Sequence, residues 1–449
     1  MKKLLAIILA LAMVLGLVAC GGAEAPKETE APKADVQQNT PVADEPAKKD
    51  PVEITWWNYP NSINEDLANE LAAEFMAQND WITVNVEQKT SDGIAEQISI
   101  AANTGALPDV QSGSAQWVLG YATMGLLDPI DDCTDKSIWP EAMVNALSVD
   151  GKYYIAPYTN NAIGFAVNRD ILKECGVNDL VPDSTGTWTF DTFTEVLKAV
   201  SDPDNGRYGL GYYAADTGGD QVHHCLLWGF GAKSYADDNK SSVLYSDAAV
   251  EGLEYLIGLQ DQGLTNPGVA GASCNDVINN MFAGGQVCFV MANSGHMGGI
   301  RTAFAEGTYK EFDMDLVPYP TVDGKSSNTA SFTDGIWMWN TDDAAREEAA
   351  ALFMSFLCSK DVMVKLGSQD GTISPLVDAD LSSLNADAQK AYNLFKYAGN
   401  YGIGVPGYAE IRPVLVANLQ AAFNHEMTAA EALESFQKQA NDIINSNLG

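Results

Sequence analysis

Strand-like and helix-like segments alternate over about the first fifth of the folded part of the chain, and this order limits the possible folds most strongly. Short segments rich in β-branched and aromatic residues are each followed by a longer segment whose apolar residues recur at helical spacing. The strand-like segments are 53–57, 81–87 and 109–111, and the helical ones are 63–78, 94–103 and 115–124. A β-α-β-α-β-α order predicts α/β architecture, with a mostly parallel sheet flanked by helices on both faces.

The length of this region predicts two lobes. Residues 51–449 exceed the roughly 250–300 residues that one hydrophobic core usually serves. Further strands are predicted at 153–157, 164–167, 208–213, 287–291, 313–317 and 336–339, and helices at 344–358, 361–366, 387–397 and 429–445. No internal repeat is visible, so the lobes are not copies of one unit.

The N-terminal segment has the pattern of a secretory signal. Lys2 and Lys3 precede an uncharged apolar run at 4–18, which ends Leu-Val-Ala-Cys at Cys20. That ending resembles the lipobox of bacterial lipoproteins, which implies cleavage after residue 19 and acylation of Cys20, with palmitate among the acyl groups. An ordinary cleaved signal with an incidental cysteine is the alternative. Residues 20–50 are rich in Ala, Pro, Lys and Glu and lack aromatic residues, so we predict a disordered tether.

Charge and cysteine spacing exclude several classes of function. The chain has 25 basic and 60 acidic residues and a net charge of −35, which disfavours nucleic acid and anionic membranes as partners. The six cysteines after Cys20 are irregularly spaced without a CxxC motif, which favours mostly free thiols and no zinc site. The adjacent His223 and His224, and the turn-like segment 202–206, are interpreted as structural. We expect neither a metal nor a cofactor.

Six sequence segments occur in an order that resembles one known family. They are GALPDV at 105–110, GLLDPID at 125–131, DGKYYIAP at 150–157, VNRD at 167–170, NMFAGG at 280–285, and the helical stretch 344–357. Together they are similar to the extracellular solute-binding proteins of ABC transporters, in the maltose-binding-like carbohydrate family (family 1). The match covers nearly all of residues 51–449.

The resemblance implies a periplasmic-binding-protein-like fold whose two lobes close about a hinge on a sugar. It implies an N-terminal lobe of 51–165 plus 335–372 and a C-terminal lobe of 166–334 plus 373–449, with crossings near 163–167, 332–337 and 368–374. It also implies a monomer outside the cell membrane that delivers sugar to the transmembrane subunits of an ABC permease, and through them to an ATPase. We expect no enzymatic activity.

Ligand-binding candidates follow from the chemistry of sugars and from where the strands end. Aromatic rings stack on the C–H faces of sugars, amides and guanidinium groups read hydroxyls, and ligands bind beyond the carboxyl ends of strands. The candidates are Tyr59, Asn61, Gln116, Trp117, Asn161, Trp228, His296, Asp334, Tyr408 and Arg412.

Several candidates have alternative roles. Trp117 and Trp228 are equally well explained as packed core residues, His296 as structural, and Asp334 as part of the hinge. Arg412 is the strongest polar candidate because its planar fork suits pairs of hydroxyls. We expect Trp117→Ala and Arg412→Ala to weaken binding by about tenfold without a large loss of stability.

Two other functions remain open at this point. A surface glycosidase needs two carboxylates flanking the scissile bond, and counting acidic residues cannot rule out such a pair. A binding protein of the same fold for a peptide or polyamine is the other alternative. Binding without turnover distinguishes a receptor from an enzyme.

Overall fold

The computed structural model describes residues 49–59, 63–90, 94–369, 373–399, 401–402 and 404–448. The predicted signal peptide, Cys20, the tether up to residue 48 and Asn61 lie outside these residues. Within the described part of the chain, none of the helices combines the length and the apolar character of a membrane span.

The described residues form strands and helices in alternation, as the sequence predicts. The strands are β1 (Val52–Asn58), β2 (Ile82–Gln88), β3 (Val110–Ser114), β4 (Leu127–Asp128), β5 (Ser148–Val149), β6 (Lys152–Tyr153), β7 (Ala156–Ala162), β8 (Gly164–Asn168), β9 (Tyr208–Leu210), β10 (Val287–Ala292), β11 (Met314–Val317) and β12 (Ser331–Trp339). The helices are α1 (Glu65–Gln78), α2 (Ile94–Thr104), α3 (Glu141–Ala146), α4 (Arg169–Glu174), α5 (Phe190–Val200), α6 (Gln221–Gly229), α7 (Asp247–Asp261), α8 (Cys274–Asp276), α9 (Ser294–Ala305), α10 (Ala344–Leu357), α11 (Lys360–Gly367), α12 (Ala386–Leu394), α13 (Tyr408–Phe423) and α14 (Ala429–Leu448).

One sheet forms the centre of what we call the N-lobe. Its strand order is β2-β1-β3-β12-β4, and β7 also pairs with β12. β1 is parallel to β2 and β3, whereas β12 is antiparallel to β3, β4 and β7. The core beneath this sheet is aromatic. Phe353 of α10 meets Trp56 of β1 at a centroid distance of 5.4 Å and Phe75 of α1 at 4.9 Å.

The second sheet forms the centre of the C-lobe, with strand order β11-β8-β10-β9. β10 is parallel to β9, but β8 is antiparallel to both β10 and β11. A separate buried cluster packs on this sheet, and in it Phe165 of β8 contacts Phe193 of α5 and Tyr319. Two distinct hydrophobic cores confirm the two-lobed α/β fold.

Two details of the predicted fold are wrong. The sheets are mixed rather than mostly parallel, because β12 returns to the N-lobe in the opposite direction and β8 lies antiparallel to both its neighbours. The predicted helix at 115–124 is two 3₁₀ turns, Ala115–Trp117 and Leu119–Met124. These turns end at Gly125, whose φ of 71° is in the left-handed region.

Several residues of the family-like segments stabilise each lobe internally. Asp109 is fully buried, accepts a hydrogen bond from the Thr55 amide at 2.8 Å and pairs with Arg346 of α10 at 2.9 Å. In the C-lobe, Asn168 caps the start of α4, and the next residue, Arg169, pairs with Asp315 at 2.8 Å. These motif residues therefore build the scaffold.

Two antiparallel strands run from one core to the other. β7 leaves the N-lobe core at Tyr158 and enters the C-lobe core at Ala162, and β12 returns from Ala330 to Ile336 beside it. The pairing shifts register between Asp334 and Gly335. A Cβ at Gly335 would lie 2.4 Å from Ile155 Cγ2, so only glycine fits at this bulge. The exact lobe boundaries implied by the sequence stay a prediction.

Candidate functional site

The carboxyl ends of β1 and β3 are fixed by a small polar network. Asn58, which is fully buried, donates to the Ile63 carbonyl at 2.8 Å and to Gln88 Oε1 at 2.9 Å. Its Oδ1 accepts from the Ser112 hydroxyl at 2.7 Å, and Ser112 Oγ in turn accepts from the amide of Tyr59 at 3.4 Å. This network holds the half-buried candidate Tyr59 at the strand ends, where the α/β rule places ligands.

Among the described residues, side-chain hydrogen bonds occur where the two lobes meet. Gln221, at the start of α6, donates to Oε1 of Gln116 at 3.3 Å. Asn161 of β7 donates from Nδ2 to the hydroxyl of Ser294, at the start of α9, at 2.9 Å. The candidates Gln116 and Asn161 thus both lie where the two lobes face each other. Gln221 is almost fully buried, and sequence reasoning missed it.

Arg412 differs from its predicted role. Its Nε and Nη2 donate to the two carboxylate oxygens of Asp220 at 2.8 and 3.0 Å, and Nη2 also donates to the Thr217 carbonyl. Asp220 is 1% exposed. The fork of Arg412 is therefore occupied by a buried ion pair that joins α13 to the segment before α6. The sequence-based expectation that its loss would spare stability is therefore replaced by the opposite prediction, because a buried carboxylate would lose its counter-charge.

Three buried phenols surround this ion pair. The centroids of the Tyr408 and Tyr401 rings are 6.0 Å apart, and those of Tyr408 and Tyr235 are 6.5 Å apart. Gly402 fits between two of the rings, since a Cβ there would lie 2.6 Å from Tyr235 and 2.7 Å from Tyr408. We call these three tyrosines the tyrosine cluster.

The hydroxyl groups of the tyrosine cluster are buried and have no hydrogen-bond partner among the described residues. Burial raises the pKa of all three phenols, so they stay protonated donors. Tyr153 and Tyr319 are also buried phenols without a partner among the described residues, and the tyrosine cluster belongs to the same C-lobe core as Tyr319; what sets the cluster apart is that Tyr408 lines a cavity. Unpartnered polar groups are costly in a folded protein, which makes this group of three a candidate contact for a polar ligand. Sequence reasoning missed Tyr401 and Tyr235, which lie in irregular segments.

A cavity of about 330 Å³ lies between the lobes beside this cluster. Gln116, Tyr121 and Met124 line it from the N-lobe, and Val405, Tyr408 and Glu410 line it from the C-lobe. Its volume is at the lower end of the range of about 300–1,000 Å³ that small-molecule sites span. Two residues predicted from the sequence, Gln116 and Tyr408, therefore line the same cavity.

Trp228 and His296 have structural roles. The Trp228 indole donates to Ser234 Oγ at 2.8 Å, and Gly399 lies against its ring, where a Cβ would be 2.7 Å from Cζ3. His296 completes the capping box of α9, in which its amide donates to Asn293 Oδ1 at 2.9 Å and its Nδ1 accepts from the Asn293 amide at 3.3 Å.

The structure gives less information on the remaining candidates, which are Asp334, Trp117 and Asn61. Asp334 lies on β12 at the crossing between the lobes. Burial is the main reason why the pKa of Tyr401 is raised, and the charge of Asp334 adds a smaller increase. Trp117 ends a 3₁₀ turn after β3, and Asn61 lies outside the described residues.

His223 and His224 are buried and His296 is half-buried, and all three imidazoles favour the neutral form. Burial lowers the pKa of His223, His224 and His296 to about 4 each. His223 Nδ1 lies 2.6 Å from the Tyr212 hydroxyl and His224 Nδ1 lies 2.7 Å from Ser234 Oγ. Among the described residues, no cluster of three or more His, Cys, Asp or Glu side chains is arranged to bind a metal.

Two lobes with separate cores, connected by paired strands and facing each other across a cavity, are typical of proteins that capture a small solute. The model of the bacterial extracellular solute-binding protein family matches residues 70–396, and this chain belongs to that family. The family places the protein outside the cytoplasm.

Known relatives agree with this assignment. The chain is 21% identical over 349 residues to the lactose-binding protein of Rhizobium radiobacter, which covers 73% of this chain and 76% of that protein. Among solved structures, the ABC transporter solute-binding protein of Thermotoga lettingae bound with α-D-tagatose superposes with a TM-score of 0.72 at 18% identity, covering 87% and 99% of the two chains. The cyclic α-maltosyl-1,6-maltose binding protein of Arthrobacter globiformis gives 0.71 at 21% identity, covering 88% and 100%.

Proposed function

We propose that this protein is the sugar-capturing subunit of an ABC importer, and that it binds a mono- or oligosaccharide in the cavity beside the tyrosine cluster. The observation that carries the proposal is the group of three buried hydroxyls without protein partners. A sugar offers hydroxyl acceptors at a high density, and it offers apolar C–H faces to the aromatic rings. The sugars in the names of the relatives support the same class of ligand.

Each lobe contributes side chains that contact the ligand. Tyr59 and Gln116 belong to the N-lobe, whereas Tyr401 and Tyr408 belong to the C-lobe. A ligand that contacts both sides favours the closed arrangement, because its hydrogen bonds are complete only there. Closure occurs as a hinge motion along β7 and β12. Asn161 and Asp334 lie on these strands, which explains why polar candidates occur at the crossing.

Sugar binding is tested with a panel of neutral glycans that includes maltose, maltotriose, lactose and tagatose. A thermal-shift screen finds the binding sugars, and calorimetry gives their affinities. Product analysis of the same mixtures tests for turnover. We expect saturable binding to at least one glycan and no cleavage. Binding with cleavage would support the glycosidase instead, and no binding across the panel would contradict the proposal.

The role of the tyrosine cluster is tested with Tyr408→Phe. Since the hydroxyl has no protein partner, its removal should leave the stability of the ligand-free protein unchanged or slightly higher. Affinity for the bound sugar should fall by about tenfold, which corresponds to about 1.4 kcal/mol. Tyr392→Phe is the matched control, because Tyr392 is 39% exposed on α12. Equal affinity in both variants would show that the tyrosine cluster does not bind the sugar.

The protein is held at the outer face of the cell membrane by lipid on Cys20, and residues 20–50 act as its tether. It acts as a monomer that delivers sugar to the permease subunits. Cys20→Ala should move the protein from the membrane fraction to the soluble fraction without a change in melting temperature, because two or more acyl chains are needed for stable anchoring. Retention of the variant in membranes after a high-salt wash would contradict the lipid anchor.

A further inference from the structure

Arg412 holds the segment before α6 at two points. Its Nε and Nη2 donate to both carboxylate oxygens of Asp220, and Nη2 also donates to the carbonyl of Thr217. Between these two points lie Gly218 and Gly219, and the φ of Gly219 is 59°, in the left-handed region. Glycine has more conformational freedom to lose on folding than any other residue. A segment with two adjacent glycines therefore depends on such contacts for a fixed shape.

Asp220 occupies the N-cap position of α6, yet it does not cap the helix. Aspartate at this position commonly accepts hydrogen bonds from the backbone amides of the first turn. Within the described first turn of α6 its side chain accepts no such bond, and both of its oxygens accept from Arg412 instead. The Arg412 side chain is only 16% exposed, so the pair is shielded from water. The start of α6 is thus fixed to α13 by a side chain that usually serves its own helix.

The next residue, Gln221, carries this fixed position to the other lobe. It is the first residue of α6, and its amide donates to Oε1 of Gln116 at 3.3 Å. Gln116 lines the cavity between the lobes. The usual N–H···O distance is about 2.7–3.2 Å, so this bond has little margin and a small shift of the start of α6 would break it. The contact between the lobes therefore depends on where Asp220 is held.

Arg412 lies one helical turn beyond the cavity wall. Tyr408 and Glu410, in the first turn of α13, line the cavity, whereas Arg412 is not among the described residues that line it. The guanidinium carbon of Arg412 is 5.9 Å from the centroid of the Tyr408 ring. The ion pair therefore connects a wall of the cavity to the contact between the lobes, from a position behind that wall.

We infer that Arg412 and Asp220 are positioning residues for sugar capture, which hold Gln221 where it bonds to Gln116 and so favour the closed arrangement of the lobes. The inference rests on the proposed sugar-binding function and adds a role for residues that do not touch the sugar. The apparent dissociation constant equals the intrinsic constant divided by the fraction of protein in the competent state. Loss of the ion pair should therefore weaken binding by way of Gln221.

The test is a double-mutant cycle on sugar affinity. Arg412→Met with Asp220→Leu removes the ion pair without leaving a buried charge, and Gln221→Leu removes the contact that the pair positions. Each change should weaken binding of the panel sugar with the highest affinity by about threefold or more in calorimetry. The triple variant should bind no more weakly than the weaker of these two variants, because a contact already lost cannot be lost again. A further loss of about twofold or more would overturn the inference, as would an unchanged affinity without the pair.

Arg301→Met with Asp387→Leu is the matched control. This pair also has two hydrogen bonds to a buried carboxylate of the C-lobe, but it joins α9 to α12 and lies outside the cavity lining. Its removal should leave sugar affinity at the level of the parent protein. An equal loss of affinity in the two pair variants would show a general loss of order in the C-lobe, and it would overturn the specific role of Arg412 and Asp220.

Two further measurements cover a variant that does not fold and a sugar that does not bind. Arg412→Lys keeps a charge beside Asp220 but loses the planar fork that also reaches Thr217, so it should show the same lack of further loss with Gln221→Leu. Small-angle scattering needs no ligand, and the radius of gyration should rise equally in the pair variant and in Gln221→Leu. A rise in Gln221→Leu alone would overturn the inference even if sugar binds. If none of the panel sugars binds, the proposed function fails, whereas an equal rise would still support the link between the ion pair and Gln221.

Discussion

On the N-lobe side of the cleft, polar groups at the strand ends bind one another, whereas on the C-lobe side three phenols have no partner. Asn58 uses both its amide protons and its carbonyl oxygen within the network that includes Ser112. The hydroxyls of Tyr235, Tyr401 and Tyr408 have no such contacts among the described residues. Both sets are buried and polar, but the first set stabilises itself by internal hydrogen bonds, whereas the second set contains the groups that we propose for the ligand.

The largest expected effect comes from breaking the ion pair beneath the tyrosine cluster. Arg412→Ala should lower the free energy of unfolding by about 3–5 kcal/mol, because Asp220 stays buried without its partner. Urea unfolding measures the change. The double variant Arg412→Met with Asp220→Leu should recover most of the loss. Lys365→Ala, at an exposed pair with Glu70, should cost about 0–1 kcal/mol. A loss for Arg412→Ala as small as that control would mean that the pair does not support the C-lobe.

The second-largest expected effect is a loss of stability at acidic pH. All four histidines follow residue 222 in the chain, and three of them have pKa values lowered to about 4 by burial. Because these pKa values lie below the ordinary 6.5, the unfolded chain binds more protons than the folded chain between pH 6.5 and 4. The free energy of unfolding should therefore fall as pH falls through this window.

His296→Gln isolates one part of this pH dependence. Glutamine preserves a capping box at the start of α9 but does not titrate. Stability measured by urea unfolding at intervals from pH 7 to pH 4 should fall less steeply in this variant than in the parent protein. His425→Gln is the control, since His425 is exposed and interacts with Asp261 at 3.0 Å. Parallel curves for parent and His296→Gln would show that this imidazole is not the source.

A smaller loss is expected on the N-lobe side. Asn58→Ala should lower the free energy of unfolding by about 2 kcal/mol, because Ser112 and the Ile63 carbonyl each lose a buried partner. In contrast to Tyr408→Phe, this substitution should reduce stability in the ligand-free protein. Thermal unfolding of the two variants side by side compares the two regions directly. Equal stability of both would remove the distinction between satisfied and unsatisfied groups.

The smallest effect is expected at the hydrogen bond between the lobes. Gln116→Leu removes the 3.3 Å contact with Gln221, which contributes only about 0.5–1.5 kcal/mol. The ligand-free protein should then have a slightly larger radius of gyration by small-angle scattering, and saturating sugar should reverse the increase. A radius that does not change in either state would show that this contact does not bias closure.

Regular periodicity explains what the sequence predicted well. β1, α1, α2 and α10 have runs of apolar residues at a spacing of two or 3.6, so their positions follow from local pattern alone. The prediction for residues 115–124 was wrong because a few apolar residues suggested an α-helix, whereas the chain forms 3₁₀ turns that end at Gly125. Local pattern also carries no information on strand direction, so the antiparallel pairing of β12 with β3 was not predicted.

The site was only partly predictable for a related reason. Strand ends indicated Tyr59 and Gln116, and the structure places each of them just after a strand, while their role in binding stays a prediction. The partner of Arg412 lies 192 positions away, and no local signal identifies Asp220. Tyr401 and Tyr235 lie in irregular segments, where an aromatic residue looks like ordinary packing. Whether a buried hydroxyl has a partner is a property of the folded chain, so it cannot be read from residue types.

The position of β12 has a consequence for how the chain is made. This strand lies between β3 and β4 in the N-lobe sheet, and Phe353 of the following helix fills the core beside Trp56. A ribosome adds these residues only after the whole of β8 to β11. Domains usually fold in the order of synthesis, the N-terminal one first. Here the first lobe lacks a central strand until β12 is made, and the second lobe lacks α12 to α14 until later still. The nascent chain therefore remains unfinished, and accessible to export machinery or chaperones, through at least about three quarters of its synthesis.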